Sequence, residues 1–296
     1  MIQGGYIDTH VHILPEKRIR GLMKWVYRSM EGTVVPSFEG GGVKQDITEE
    51  EIVADIRRKG MKRFFSLVFP LKPNEIPHLN YFSAQVPERY PEAIPFGSLH
   101  IETPNKRDVI MEAMKELGLA GIKFHPMVQR FDPGDPRMLE VYETLDSLRR
   151  PLILHTGYDA FYQFGYPSSG IEAILSSYPN IPVILVHFFF PRLDYAFRLL
   201  HRFPQLMLDA TNVFGSFEME YGASFDPLSH PEADILRNGL LQFSDRILFG
   251  TDHPAGMGSV DKIFFDLERF NLPVAFLERV LYKNAEDFIE KHINQR

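Results

Sequence analysis

Tyr6-Ile7-Asp8-Thr9-His10-Val11-His12 reads as a short apolar strand that ends in two histidines two residues apart. Residues two apart on a strand point to the same side. His10 and His12 would therefore face one direction and could chelate one ion. Asp8 shares their parity but lies deeper in the strand, which suits a supporting role rather than ligation.

Seven further β-rich apolar runs follow, at Arg63–Phe69, Ile94–His100, Ala120–His125, Leu152–His155, Val183–His187, Leu206–Ala210 and Ile247–Gly250. Helical spacing fills the intervals, most clearly at Glu49–Lys59, Lys106–Leu117, Pro136–Arg149, Ser168–Tyr178, Leu193–Phe203 and Asp261–Phe270. Thr48 ahead of three glutamates predicts a helix N-cap followed by acids in the first turn. Pro136 suits a first helical position and Gly118 a helix end.

Such alternation predicts parallel strands with crossover helices. Eight strands fit a closed barrel, whereas an open doubly wound sheet more often stops at about five or six. No GxGxxG turn follows the first strand, which disfavours a dinucleotide-binding sheet. The fold class expected is α/β, a single (β/α)8 TIM barrel over residues 1–296. Two long connections, Pro15–Asp46 after the first strand and Thr211–Glu232 after the seventh, would lie on the strands' C-terminal face, where barrel active sites form. Pro273–Ile293 predicts two extra short helices covering one end.

Composition narrows the function. The chain has 296 residues, 44% hydrophobic and 24% charged, enough to bury a large core without staples. It has no cysteine, which excludes a disulfide scaffold, a thiolate zinc site, an iron–sulfur cluster and a cysteine nucleophile. A net charge of −7 argues against broad binding to nucleic acid or to an anionic membrane. No apolar run approaches the roughly 18 residues of a membrane span. The opening residues carry no basic-then-apolar signal, so a cytoplasmic protein is expected.

Histidine carries the chemical signal. Of eleven, seven fall at or just after predicted strand ends: His10, His12, His100, His125, His155, His187 and His253. In a parallel barrel these ends converge on one face. Histidine is the commonest metal ligand and titrates near neutral pH. Gly250-Thr251-Asp252-His253-Pro254 adds a carboxylate just past a buried strand. An acid there must be paired, metal-bound or solvated. Asp252 could bind metal and take a proton from water, or cap a helix.

These fragments resemble the amidohydrolase superfamily, and most closely its amidohydrolase-related branch of small barrels, which includes relatives of aminocarboxymuconate-semialdehyde decarboxylase. The resemblance rests on IDTHVH at 7–12, GIKFHP at 121–126, LILHTG at 152–157, VILVHF at 183–188, ILFGTDHP at 247–254 and YKNAEDF at 282–288. It implies that His10, His12, His155 and Asp252 hold one divalent metal, with zinc the expected ion. It implies His187 beside an activated water and Asp252 as the proton carrier. Two-metal members carry a carboxylated lysine on the fourth strand. Lys123 permits that reading, but a single metal is expected, with Lys123 structural or electrostatic.

The activity implied is a metal-dependent hydrolase that cleaves an amide, ester or lactone of a small organic acid through a metal-activated water. The alternative is a decarboxylase of an aromatic or muconate-type acid at the same site. His125, Tyr158, Arg192 and His253 are the candidate substrate contacts. Tyr158, Phe161, Tyr162, Phe214 and Tyr221 could line a pocket for a flat substrate, or pack their own loops. Phe188–Phe190 replaces a Gly-containing turn and would make an apolar wall by the site. If exposed, it would suit a homodimer surface. The expected partner is a small molecule.

Overall fold

A computed structural model describes residues 4–30, 46–157, 162–218, 224–256 and 258–294. Eight parallel strands form its centre: β1 (Tyr6–Val11), β2 (Met61–Ser66), β3 (Ala93–Pro95), β4 (Ile122–Phe124), β5 (Leu152–His155), β6 (Val183–Val186), β7 (Leu206–Asp209) and β8 (Ile247–Leu248). Their ladders run β1-β2-β3 and β4-β5-β6-β7-β8. Two seams join these ladders. Gly97 N donates to Gly121 O at 2.9 Å and Lys123 N to Gly97 O at 2.8 Å, which link the ends of β3 and β4. Thr9 N donates to Phe249 O at 2.9 Å and Asp252 N to His10 O at 2.8 Å, which link β8 to β1. The strands therefore close into a barrel.

Alternation along each strand divides the core in two. Ile122, Phe124, Leu152, Leu154, Val183 and Leu185 join the cluster beneath the outer helices. Ile7, Phe65, Ile94, Ile153, Ile184 and Leu248 face inward and meet Phe288 and Ile289 of the helix Asn284–His292, which closes the barrel floor. Each such side chain contributes about 1.5–3 kcal/mol on burial. The helix Val274–Glu278 precedes this one, so the region predicted to cover one end does so. Asn284 fastens it by donating Nδ2 to Ser244 O and Ile247 O at 2.7 and 2.8 Å.

The first long connection differs from expectation. It contains α1 (Glu16–Met30), whose Ile19, Met23 and Val26 are buried at helical spacing. Thr48 caps α2 (Glu49–Arg57) as predicted: Glu51 N donates to Thr48 Oγ1, and Thr48 N donates back to the Glu51 carboxylate. In the second long connection, Phe217–Glu218 pairs antiparallel with Ser224–Phe225. No helix among the described residues is long and apolar enough to cross a membrane.

Candidate metal centre

At the C-terminal rim, His10, His12 and Asp252 each offer a ligand atom, all within 4.8 Å of one another. Asp252 Oδ1 lies 3.4 Å from His10 Nε2 and 3.1 Å from His12 Nε2. His12 Nδ1 donates to the Leu67 carbonyl at 3.0 Å, which places the hydrogen of a neutral ring on Nδ1 and leaves Nε2 a bare lone pair. Two lone pairs then face each other across 3.1 Å. Only a cation between them, a proton or a metal, makes that arrangement favourable. The carbonyl behind the ring is also what orients a metal-binding histidine. The donor set fits a divalent ion.

The local fold builds this geometry. Asp8 accepts from His10 N and Thr251 N at 3.1 and 3.0 Å and from Thr251 Oγ1 at 2.7 Å, tying β1 to the turn after β8. Asp209 accepts from Thr9 Oγ1 at 3.0 Å and from the Thr211 amide and hydroxyl, and its Oδ2 lies 3.7 Å from His10 Nδ1. Gly250 lets these elements meet. A Cβ there would stand 2.2 Å from Thr211 Oγ1 and 2.7 Å from His10 Cβ. Asp252 adopts a left-handed φ of 59°, uncommon outside glycine, which turns its carboxylate toward the two histidines. Asn212, at φ 62°, donates Nδ2 to the other carboxylate oxygen, Oδ2, at 3.2 Å.

Electrostatics keep the candidate ligands in a form that could bind metal. Burial raises the Asp252 carboxyl, but the neighbouring His10 and the contact with His12 outweigh it and hold the group well below the usual carboxylate range. Burial pushes His10, His125, His155 and His187 down, so these imidazoles are neutral at pH 7. Burial pushes Asp8 up to about 7, against its hydrogen bonds. Lys123 comes down to about 8 by burial, opposed by Asp252 and Asp209.

A second rank of rings adjoins the three ligands. His155 stacks on His125 with centroids 3.7 Å apart and meets His187 edge-on at 4.4 Å. The His187 ring lies 5.7 Å from that of His10. His187 Nδ1 donates to Thr211 O at 2.8 Å, which leaves Nε2 an acceptor. His155 Nε2 and Lys123 Nζ are buried with no hydrogen-bond partner among the described residues. Lys123 is fully buried on the inner face of β4. Of the expected ligand set His10, His12, His155 and Asp252, the structure brings His10, His12 and Asp252 within 4.8 Å of one another and places His155 beside His187.

Other expected contacts lie elsewhere. His253 turns away from the cluster: its Nε2 meets Asp55 Oδ2 of α2 at 3.2 Å. The left-handed turn at Asp252 sends these consecutive side chains to opposite sides. Arg192 is exposed, with its guanidinium over the Phe189 ring. Phe188 and Phe189 are buried against Phe197 and Tyr195 of the following helix, while Phe190 is half-buried against the Phe225 ring. His125 is at the site and contacts Tyr162. Tyr158, Phe161 and Tyr221 lie outside the described residues. Asn212 and Asp209 escaped sequence reasoning. Two carboxylates and an amide at the ends of the last two strands were the available signal.

A family model described as amidohydrolase matches residues 7–290. The chain belongs to the amidohydrolase family. Solved structures agree with this amidohydrolase barrel. A TIM-barrel protein of Bordetella bronchiseptica is 19% identical with a TM-score of 0.69, covering 97% of this chain and 99% of its own. A 5-carboxyvanillate decarboxylase of Novosphingobium aromaticivorans, complexed with manganese and a nitrobenzoic acid, is 14% identical with a TM-score of 0.64 and 97% of each chain covered. A protein of Pseudomonas putida assigned as a 2-pyrone-4,6-dicarboxylic acid hydrolase is 15% identical with a TM-score of 0.62 and 98% of each covered. At these identities they bear on the fold.

Proposed function

We propose that this amidohydrolase is a metal-dependent hydrolase cleaving an amide, ester or lactone of a small organic acid. The observation that carries the reading is the single carboxylate oxygen, Asp252 Oδ1, shared by His10 Nε2 and His12 Nε2. One divalent ion is proposed, zinc first and manganese second, held by His10, His12 and Asp252, with His155 as the fourth ligand. Such an ion polarises a carbonyl and brings the pKa of water toward about 7. Two metals bridged by a carboxylated Lys123 are the alternative stoichiometry.

The protein groups divide the remaining work. Asp252, ionised beside His10 and His12, is the carboxylate placed to accept the proton of an attacking water and return it to the leaving group. His187, with Nδ1 committed to Thr211, can accept a hydrogen at Nε2 and so orients the water. In that tautomer it cannot donate to an oxyanion. His125 and Tyr162 flank the substrate side.

A second reading, decarboxylation of an aromatic or muconate-type acid, is favoured by Lys123, a buried cation without a partner among the described residues that would suit a substrate carboxylate. The separating experiment incubates metal-loaded protein with lactones, esters and amides and, in parallel, with aromatic carboxylates, following acid release and carbon dioxide release. Acid release from a lactone or ester supports hydrolysis. Carbon dioxide release without it moves the assignment to the lyase.

A further inference from the structure

We propose that Asn212 is the positioning residue of the metal centre, fixing which oxygen of Asp252 faces the ligand histidines. The inference rests on the reading of His10, His12 and Asp252 as metal ligands. Asn212 sits in the loop after β7, 40 residues from Asp252 in sequence. Its Nδ2 donates to Asp252 Oδ2 at 3.2 Å, while Oδ1 of the same carboxylate faces His10 and His12. A carboxylate free to rotate could exchange its two oxygens, or present both. The amide hydrogen bond removes that freedom.

The turn after β8 runs beside both residues: a Cβ added at Gly256 would lie 3.4 Å from Asn212 Oδ1 and 3.4 Å from Asp252 Cβ. Both adopt left-handed backbone, at φ 62° and 59°. Asparagine and aspartate are the non-glycine residues that tolerate this region best, and here they face each other from adjacent strand ends. The pairing of amide with carboxylate is the interaction they share.

The left-handed backbone also supplies the competing explanation, that asparagine serves only to make the turn. Glycine separates the two, because it adopts φ 62° freely and has no donor. The test measures zinc affinity by chelator competition, and the visible absorption of the cobalt-substituted protein, for wild type, Asn212→Gly and Asn212→Ala. Loss of a residue that orients a metal ligand typically weakens binding by about 10- to 100-fold. The expected result is a Gly variant that folds with a melting temperature near wild type, binds zinc at least about 10-fold more weakly and shows an altered cobalt spectrum.

A Gly variant with wild-type affinity and spectrum, beside a damaged Ala variant, would overturn the proposal in favour of the turn. Both variants behaving as wild type would overturn it as well. If Asn212→Gly fails to fold, Asn212→Asp takes its place, since aspartate keeps the shape and tolerates the turn but cannot donate. A cobalt spectrum unchanged in that variant counts against the positioning role. Wild-type protein that binds neither zinc nor cobalt removes the metal reading itself, a failure visible before any variant is made.

Discussion

His125 donates Nε2–H to the hydroxyl of Tyr162 across 3.2 Å. The direction follows from the other ring nitrogen, because Nδ1 accepts from Val128 N at 3.3 Å and so carries no hydrogen. Tyr162 in turn stacks on Trp25 of α1, with centroids 5.7 Å apart. The first long connection and the loop after β5 thus meet above the histidines. Tyr162→Phe removes the acceptor but keeps the stack. It should cost about 0.5–1.5 kcal/mol of stability, leave metal content at the wild-type value and raise KM several-fold. Metal analysis, thermal melts and saturation kinetics check this. Loss of metal would show that Tyr162 supports the ligands instead of the substrate.

Replacing His10 and His12 with Ala should abolish metal binding and turnover while the barrel stays folded, because both rings stand at its rim. Elemental analysis alongside circular dichroism reads both outcomes, and an unfolded double variant would make the site structural. Asp252→Asn should instead reduce turnover by about 100-fold or more through loss of the proton acceptor. Near-wild-type turnover there would assign the proton to another group.

Gly250 predicts an overpacking defect. A methyl group there would press on the Thr211 hydroxyl and on the Cβ of His10. Gly250→Ala should destabilise the fold by about 1–3 kcal/mol and weaken zinc retention, since His10 must shift. Denaturant titration with and without zinc separates the two effects. An unaltered midpoint would mean that the strands relax freely.

His292, half-buried beside the Phe288 ring, is pushed down to about 4 by burial and then by Lys291. Between the ordinary value of 6.5 and about 4, the unfolded chain takes up a proton that the folded one refuses. Stability therefore falls as pH drops through that window. With solvent screening at this position, the contribution is about 1 kcal/mol. His292→Gln should flatten that part of the melting-temperature profile, and a profile identical to wild type would place the acid sensitivity elsewhere.

The barrel was legible because apolar strand runs ending in polar residues leave a strong trace. β5 falls on Leu152–His155 as read, while β8 is only Ile247–Leu248, although its hydrogen bonds to β1 run on through Phe249 and Asp252. α1 was hidden by the length of its connection, although Ile19, Met23 and Val26 carry the spacing of a buried face. His10, His12 and Asp252 could be found because each follows an apolar strand. Asn212 could not, because it works through one hydrogen bond to a residue 40 positions away. His253 carried the same strand-end signal as the others, and only the left-handed turn at Asp252 decides that it meets Asp55.

The helix Asn284–His292 has a consequence for truncation. Phe288 and Ile289 fill the shaft between Ile7, Ile153 and Leu248, so a chain cut before this helix would keep His10, His12 and Asp252 at the rim but open an apolar base. Such a surface invites association, so the helix that touches none of those three residues decides whether the barrel stays in solution.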